Sequence, residues 1–211
     1  RGRLIFGSRG FVSELQVSAV IPTYNYGSYV TRAIDSALGQ SYPVGEVIVV
    51  DDGSTDNTRQ ILAGYGDRIR YIYQANRGLS GARNTGIREA RYPWVALLDS
   101  DDYWLPEKIE RQMAVVRQQP DVDLVYTAIR TFDATGIRKV YTVTPPDRLW
   151  PRLRWMNLIT PSTIMARRDL LLEVGGFDES IRCCEDWEMW VRLGEKRRFG
   201  CVQAPLTAYQ Y

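Results

Sequence analysis

Five short runs rich in Val, Ile and Leu alternate with four segments of helical pattern over residues 17–126. The runs are VSAVIP, EVIVV, IRYIY, WVALL and VDLVY, at residues 17–22, 46–50, 69–73, 94–98 and 122–126. Strands that alternate with helices form a mainly parallel sheet, because each parallel neighbour needs a crossover connection. We therefore predict an α/β fold with a mainly parallel sheet and helices on its faces.

The regular alternation stops near residue 126. Residues 127–143 predict a hairpin that turns at Asp133–Gly136, and the proline-containing segment 144–155 predicts a loop. The later elements that the pattern predicts are a short helix ending at Gly175-Gly176, a helix over 185–194 and a strand over 198–203.

The chain is predicted to form a single domain with two halves. Residues 1–16, which are basic and interrupted by glycine, are expected to form an N-terminal extension. The domain then covers residues 17–211, with the alternating half over 17–126. The smaller half, residues 127–211, is expected to pack on the same sheet.

The cysteine and histidine content of the chain limits the types of active site and metal site that it can form. The chain has no histidine and three cysteines, which are Cys183, Cys184 and Cys201. The lack of histidine excludes Ser–His and Cys–His nucleophilic sites, and three cysteines without a CxxC pair disfavour a zinc site. An odd count with two adjacent cysteines is a poor disulfide framework, which favours a reducing compartment.

Charge and hydropathy bear on partners and location. The formal net charge of +2 is too small to indicate a nucleic-acid partner. No run of 18 or more residues is apolar throughout, so no transmembrane helix is predicted. We expect a cytoplasmic protein, with peripheral association at the inner face of the membrane left open. The sequence does not indicate the oligomeric state.

Polar residues follow three of the predicted strands. The segments are PTYN at 22–25, DDGS at 51–54 and DSDD at 99–102. Ligands bind beyond the carboxyl ends of the strands in open α/β sheets. If the three strands are neighbours, these segments form one acidic cleft, although each segment alone also fits a turn or a helix cap.

The DSDD segment gathers three carboxylates, Asp99, Asp101 and Asp102, directly after an apolar run. Their charges repel, and a bound Mg²⁺ or Mn²⁺ would neutralise them, because carboxylate oxygens suit hard divalent cations. Such ions usually bind substrate phosphates as well, which indicates a diphosphate substrate. Arg83 in GLSGARN should lie near a helix N-terminus, which favours an anion, although a surface ion pair is an ordinary alternative.

Six motifs resemble those of glycosyltransferase family 2 in their order and spacing. They are PTYN, VVDDGSTD, NRGLSGARNTGI, LLDSDDYW, GGFDE and EDWEMWVRL, and the resemblance covers residues 17–205. It implies the GT-A fold with a Rossmann-like sheet, a nucleotide-sugar donor, and transfer with inversion at the anomeric carbon. It also implies that residues 17–126 bind the donor and residues 127–211 bind the acceptor.

The resemblance assigns roles to individual residues. The residues that it places at the nucleotide are Pro22, Thr23, Tyr24, Asp52, Arg83 and Asp99. The residues that it places at an Mn²⁺ or Mg²⁺ ion are Asp101 as the main ligand, Asp99, and Asp102 as the alternative main ligand. Glu185-Asp186 corresponds to the catalytic pair, with Asp186 as the general base that takes the proton of the acceptor hydroxyl. Outside this family context the pair would be an ordinary acidic first turn of a helix.

The resemblance implies transfer of a hexose, with inversion, from a UDP-sugar type of nucleotide-diphosphate donor to a hydroxyl. The acceptor would be a saccharide or a lipid-linked molecule, in the synthesis of cell-surface polysaccharide or glycolipid. Trp187 and Trp190, three residues apart on a predicted helix, suit either a sugar-binding wall or the core.

One departure from the family pattern concerns the metal site. Family members often supply a histidine ligand in a C-terminal Tyr-Arg-x-His segment, whereas this chain ends in YQY. Either further C-terminal residues are missing or the metal relies on aspartate, phosphate and water. Two other functions stay open, a catalytically weak nucleotide-sugar-binding module and a nucleotidyltransferase, although the first strand lacks the lysine-containing phosphate loop that the latter needs. No GxGxxG follows that strand, which disfavours an NAD-binding oxidoreductase.

Overall fold

The computed structural model of the chain describes residues 16–194 and 197–210. The predicted extension over residues 1–16 lies outside these ranges, apart from Gln16. Nine strands of the described part join in one sheet. In the same part of the chain, no helix combines the length and the apolar character needed to cross a membrane.

The first half of the sheet is parallel, which confirms the prediction from the alternating pattern. Its strands are β1 Val17–Thr23, β2 Glu46–Asp51, β3 Arg70–Tyr73 and β4 Trp94–Leu97. The helices between them are α1 Gly27–Leu38, α2 Thr58–Ala63 and α3 Gly78–Glu89. The order β3-β2-β1-β4 makes the carboxyl ends of β1, β2 and β4 neighbours.

The second half extends the same sheet with mixed pairing. Its elements in chain order are β5 Tyr103–Trp104, α4 Lys108–Gln118, β6 Leu124–Asp133, β7 Gly136–Tyr141, α5 Pro146–Leu153, β8 Met165–Arg167, α6 Arg168–Glu173, α7 Glu185–Gly194 and β9 Phe199–Gln210. The sheet continues from β4 in the order β8-β6-β9-β5, and β9 is parallel to β6. The hairpin predicted after residue 126 is confirmed by the antiparallel pairing of β6 with β7.

A hydrophobic core covers each face of the sheet, because successive side chains of a strand point to opposite faces. Ala19 and Ile21 of β1 belong to the core that includes the apolar faces of α1 and α4. Val20 belongs to the opposite core, which includes α3, α6 and α7. Trp190 is fully buried in this second core and meets Phe177 edge to face, so it packs as a core residue.

The segment 144–155 contains the helix α5, and the loop predicted there is wrong. Pro146 lies in the first turn, where the missing N–H costs no hydrogen bond within the helix. Leu149 and Leu153, four residues apart, are both buried in the second core. Burial of this face outweighs the unfavourable Pro151 inside the helix, so the i, i+4 spacing was a better guide than the proline content.

Candidate active site

The carboxyl ends of β1, β2 and β4 meet at one edge of the sheet. The Asp52 N–H donates to the Thr23 carbonyl at 2.9 Å, which joins the segments that follow β1 and β2. The Leu98 N–H donates to the Val20 carbonyl at 3.0 Å, which holds the start of segment 99–102 beside β1. The three polar segments therefore form one cleft, as the sequence analysis predicts.

A cavity of about 420 Å³ lies in this cleft, within the usual range for small-molecule sites. Of the residues predicted to bind the nucleotide, those that line it are Pro22, Thr23, Tyr24, Asp52 and Asp99. Asp101 of the predicted metal set and Tyr209 of β9 line it too. Tyr24 and Tyr26 add exposed aromatic surface. The cavity can therefore hold a planar base against a ring while it presents carboxylates to a cation.

The Asp52 carboxylate ties the loop between β3 and α3 to the cavity. Its Oδ1 accepts hydrogen bonds from Gln74 Nε2 at 2.6 Å and from the Arg77 N–H at 2.9 Å. Its Oδ2 accepts the N–H of Gly78 at 2.8 Å, and Gly78 has the left-handed φ of 81° that favours glycine. A carboxylate offers about four acceptor positions, so one position on Oδ2 stays open to a ligand.

Arg83 is the positive partner of the acidic residues around the cleft. Its side chain is 2% exposed and lies between Asp99, whose oxygens are 2.7 and 2.9 Å from Nη2, and Glu185, whose Oε1 is 2.7 Å from Nη1. Burial alone would lower the pKa of the guanidinium, but the two carboxylates outweigh burial and raise that pKa above its ordinary value. Arg83 does not line the cavity, and it reaches the cavity through Asp99.

Asp101 and Asp102 have different surroundings. Asp102 is 1% exposed, its Oδ2 accepts the Ser162 hydroxyl, and its Oδ1 accepts the Gln210 N–H at 2.8 Å. Asp101 is only half-buried and lines the cavity. Burial, with the added charge of Asp99, raises the pKa of both carboxyls, and the rise is greater for Asp102. Asp102 therefore anchors the end of β9, whereas Asp101 is the carboxylate presented to a ligand.

A divalent cation fits this edge if protein and substrate share its coordination. Among the described residues, no three Cys, Asp or Glu side chains lie close enough together to hold one metal ion. Mg²⁺ needs no such cage, because it usually binds one or two carboxylates together with substrate phosphates, and Mn²⁺ takes similar oxygen ligands. The donor set therefore fits a hard cation at Asp101, with phosphate oxygens and water as its other ligands.

Glu185 and Asp186 lie in the first turn of α7 but contact different groups. Glu185 binds the Arg83 guanidinium. Asp186 Oδ2 accepts a hydrogen bond from Asn157 Nδ2 at 2.8 Å, and its Oδ1 accepts the Trp187 N–H at 2.7 Å. Burial raises the pKa of Asp186 above its ordinary value, although these hydrogen bonds oppose the shift. Asp186 is therefore the carboxylate of the pair that has no cationic partner in the described structure.

A second cavity, of about 530 Å³, adjoins the first. The residues shared by the two cavities are Asn76, Gly78 and Leu79. Glu185 and Arg182 line the second cavity. Asp186 lines neither cavity and lies one residue beyond Glu185, beside Asn157. The arrangement offers two adjoining spaces, with Glu185 in the wall of the second and Asp186 next to Glu185 in the chain.

Ser162, Asn157 and Tyr209 are among the residues of this site that were not singled out from the sequence. Ser162 joins the acidic segment from both sides, because its oxygen accepts the Asp99 N–H at 3.0 Å and its hydroxyl donates to Asp102. Asn157 holds Asp186, and Tyr209 lines the first cavity. Tyr209 had a signal in the aromatic C-terminal YQY. In contrast, Ser162 lies in a three-residue 3₁₀ turn, Pro161–Thr163, and Asn157 lies in an irregular segment, where only tertiary contacts identify them.

The family model and the related sequences that match this chain agree on one protein family. The family model described as Glycosyl transferase family 2 matches residues 18–175. An uncharacterized glycosyltransferase of Rickettsia prowazekii is 36% identical over 187 residues, which cover 84% of this chain and 58% of that protein. A chondroitin synthase of Escherichia coli is 35% identical over 191 residues, which cover 85% of this chain and 26% of that protein. The chain thus spans less than two thirds of the length of these curated relatives.

Solved structures of the S. aureus protein TarS share the fold. The TarS complex with UDP has a TM-score of 0.74 and 24% identity, and the match covers 93% of this chain and 60% of the TarS chain. The complex with UDP-GlcNAc has the same TM-score and identity, and its match covers 93% and 58% of the two chains. The sheet and its helices therefore form the GT-A fold, which confirms the fold implied by the motifs. Because the family model covers most of its residues, the chain belongs to glycosyl transferase family 2.

Proposed function

We propose that the chain moves a sugar from a UDP-sugar donor to a hydroxyl acceptor, with inversion and with Mn²⁺ or Mg²⁺ bound. The observation that carries the proposal is the buried Arg83, which joins Asp99 at the first cavity to Glu185 on α7. The Arg83 guanidinium thereby links Asp99, on the donor side, to Glu185 of the acidic pair. The UDP and UDP-GlcNAc held by TarS support this donor class.

In the proposed donor complex, the base lies against Tyr24 and donates a hydrogen bond to the open position of Asp52. Asp101 would hold the cation beside the diphosphate, and the cation would supply positive charge to stabilise the departing UDP. The Arg83 Nε–H is buried and has no hydrogen-bond partner in the described structure. Because Arg83 lines neither cavity, its proposed role at the nucleotide is exerted through Asp99, whose carboxylate it holds at the wall of the first cavity.

UDP binding is expected to depend on Mn²⁺, because the carboxylates of segment 99–102 would repel a bare diphosphate. Calorimetry should show UDP affinity at least about tenfold weaker in excess EDTA, a difference of ~1.4 kcal/mol. Asp101→Asn should lose the Mn²⁺-dependent part of the affinity. Asp67→Asn, which changes an exposed acid just before β3, is the matched control and should keep it. Equal affinity with and without EDTA would contradict the role of the metal.

Asp52→Ala should weaken UDP binding by about 1.5–3 kcal/mol, the range for a hydrogen bond to a charged group, or roughly tenfold and more in affinity. The change removes the base contact and releases the loop groups that Asp52 holds. Asp56→Ala is the control in the same loop, because Asp56 is exposed and does not line the cavity. Urea unfolding checks that the variants are folded, and wild-type affinity in folded Asp52→Ala would exclude the contact with the base.

Asp186 is proposed to take the proton of the acceptor hydroxyl during its attack on the anomeric carbon. The proton moves to the carboxylate that carries no cation, while Asn157 and the Trp187 N–H hold that carboxylate in position. A single direct displacement inverts the anomeric centre and needs no covalent nucleophile. This assignment agrees with the absence of histidine, because a carboxylate base serves general base catalysis equally well.

The acceptor is proposed to enter from the side of residues 127–211, with residues 17–126 holding the donor. Arg154, Trp155 and Met156 are exposed, and Trp155 is 82% exposed although it lies two residues from Asn157. A saccharide or a lipid-linked saccharide could stack on this ring and approach Asp186 on the side of Asn157. Synthesis of cell-surface polysaccharide or glycolipid on the cytoplasmic side is the proposed setting. The free state of all three cysteines agrees with that compartment.

Product analysis tests the function as a whole. The chain is incubated with UDP-GlcNAc, Mn²⁺ and a panel of saccharide acceptors, and the new anomeric centre is examined by NMR. We expect a β-linked product from the α-configured donor. An α-linked product would contradict inversion, and UDP-GlcNAc that binds without any product or UDP release would favour the non-catalytic binding module.

A further inference from the structure

Cys183 and Cys184 lie directly before α7 with their sulfur atoms in contact. The Sγ–Sγ distance is 3.5 Å, and both side chains are exposed. Cys184 has a φ of 63°, in the left-handed region that residues with a side chain seldom adopt. The proposed transfer reaction uses neither thiol. This paired arrangement therefore has no role in the site described above.

We propose that Cys183 and Cys184 form a reversible oxidation site that controls the position of the acidic pair. The oxidant is a low-molecular-weight disulfide such as oxidised glutathione. One cysteine thiolate attacks that disulfide and releases one glutathione thiol, and the second cysteine attacks the mixed disulfide and releases the other. Two protein thiols thus become one disulfide, while the oxidant takes up two electrons and two protons as two thiols.

The chain geometry links this oxidation to the active site. Consecutive Cα atoms are about 3.8 Å apart, whereas the Cα atoms joined by a disulfide are usually roughly 4.4–6.8 Å apart. Closing a ring between neighbours must therefore distort the backbone at Cys183 and Cys184. Glu185 is the next residue and holds Arg83 at 2.7 Å, and Asp186 follows it. The distortion consequently moves both carboxylates relative to their present partners.

The same geometry makes the modification easy to reverse. A disulfide that departs from the usual separation is strained, and strained or exposed disulfides are the ones that thiols reduce readily. In a reducing compartment the dithiol is the resting form.

Peptide mapping tests the modification without reference to transfer. Trypsin cleaves after Arg182 and Arg192, so both sulfurs fall in the single peptide 183–192, whereas Cys201 falls in another. After treatment of the full chain with oxidised glutathione, peptide 183–192 should lack two hydrogen atoms and resist alkylation, and dithiothreitol should reverse both changes. A peptide that carries two glutathiones, or two alkyl groups, would overturn the proposal.

Stability and turnover test the consequence for the site. Oxidation should lower the urea midpoint of the wild-type chain, because the contact of Glu185 with Arg83 is disturbed. Cys183→Ser and Cys184→Ser should remove this sensitivity, whereas Cys201→Ser should keep it. An unchanged midpoint after complete ring closure would overturn the link to the acidic pair.

The effect on turnover rests on the proposed function. UDP release from UDP-GlcNAc with Mn²⁺ should fall by about tenfold to a hundredfold on oxidation, since displacement of a catalytic group by about 1 Å can cost that much. Unchanged release from the fully oxidised chain would overturn control of turnover. A reduced chain that releases no UDP would contradict the proposed function, while the peptide and urea results would still decide the modification.

Discussion

Asp186→Asn is expected to lower sugar transfer by about 10²–10⁴-fold, the usual contribution of general acid–base catalysis. Asparagine keeps the size of the side chain and can still accept the Trp187 N–H, but it cannot take the acceptor proton. UDP affinity should stay near that of the wild type, because Asp186 lines neither cavity. The measurement pairs the rate of transfer from UDP-GlcNAc with a UDP titration of the same variant.

The pH dependence of kcat/KM gives a second measure of the same group. Burial raises the pKa of Asp186 above its ordinary value of 3.8, and a general base acts only when it is deprotonated. The rate should therefore fall as the pH drops through that raised pKa. Asn157→Leu removes a hydrogen bond that lowers the pKa while it keeps the site filled, so the acidic limb should move to higher pH. In Asp186→Asn the limb should be absent.

Glu185→Gln is the comparison that decides between the two carboxylates. Because Glu185 binds Arg83, its neutralisation should weaken donor binding more than it slows proton removal. Near wild-type transfer by Asp186→Asn together with an inactive Glu185→Gln would move the base to Glu185. If both variants transfer sugar normally, the pair is only the acidic first turn of α7 and the base lies elsewhere.

Local sequence pattern was sufficient for the long elements of the fold but not for the short ones. The apolar runs of β1, β2 and β4 are buried strands with an unambiguous pattern. In contrast, β5 and β8 have two and three residues, which is too short for any periodicity, and pairing with β9 and β4 defines them. The pattern ended the last strand at 203, whereas β9 continues to Gln210 because the pairing register shifts beside Pro205 and accommodates the proline.

The sequence located the cleft more successfully than it located the partners of its charges. Acidic segments at the ends of neighbouring parallel strands must meet, so Asp52, Asp99 and Asp101 could be grouped in advance. From the sequence, a bound metal was inferred to neutralise the charge of Asp99. In the structure, the Asp99 carboxylate forms an ion pair with Arg83. This pairing depends on where α3, which packs on β1 and β2, places Arg83 relative to the end of β4 and the start of α7, and motif spacing does not encode that tertiary distance.

Arg83→Met should lower the free energy of unfolding by about 3–5 kcal/mol, the range for removing one partner of a buried ion pair. The reason is that Asp99 and Glu185, with side chains 21% and 13% exposed, would lose their shared cation. Arg111→Met breaks an i, i+4 pair with Glu107 whose side chains are more than half exposed, so it should cost at most about 1 kcal/mol. Urea unfolding of the two variants measures the difference, and equal midpoints would contradict a structural role for Arg83.

A combined variant separates the loss of charge balance from the loss of packing. Arg83→Met together with Asp99→Asn and Glu185→Gln removes the two carboxylates that Arg83 pairs with, so the combined variant should regain much of the stability that Arg83→Met loses. UDP binding should remain weak in the combined variant, since Asp99 and the guanidinium have lost their charges. If stability is not regained, the packing of the guanidinium 5.2 Å from the Phe177 ring matters more than its ion pairs. Regained stability with lost UDP affinity would instead identify Arg83 as the residue that holds the acidic cleft together for its ligand.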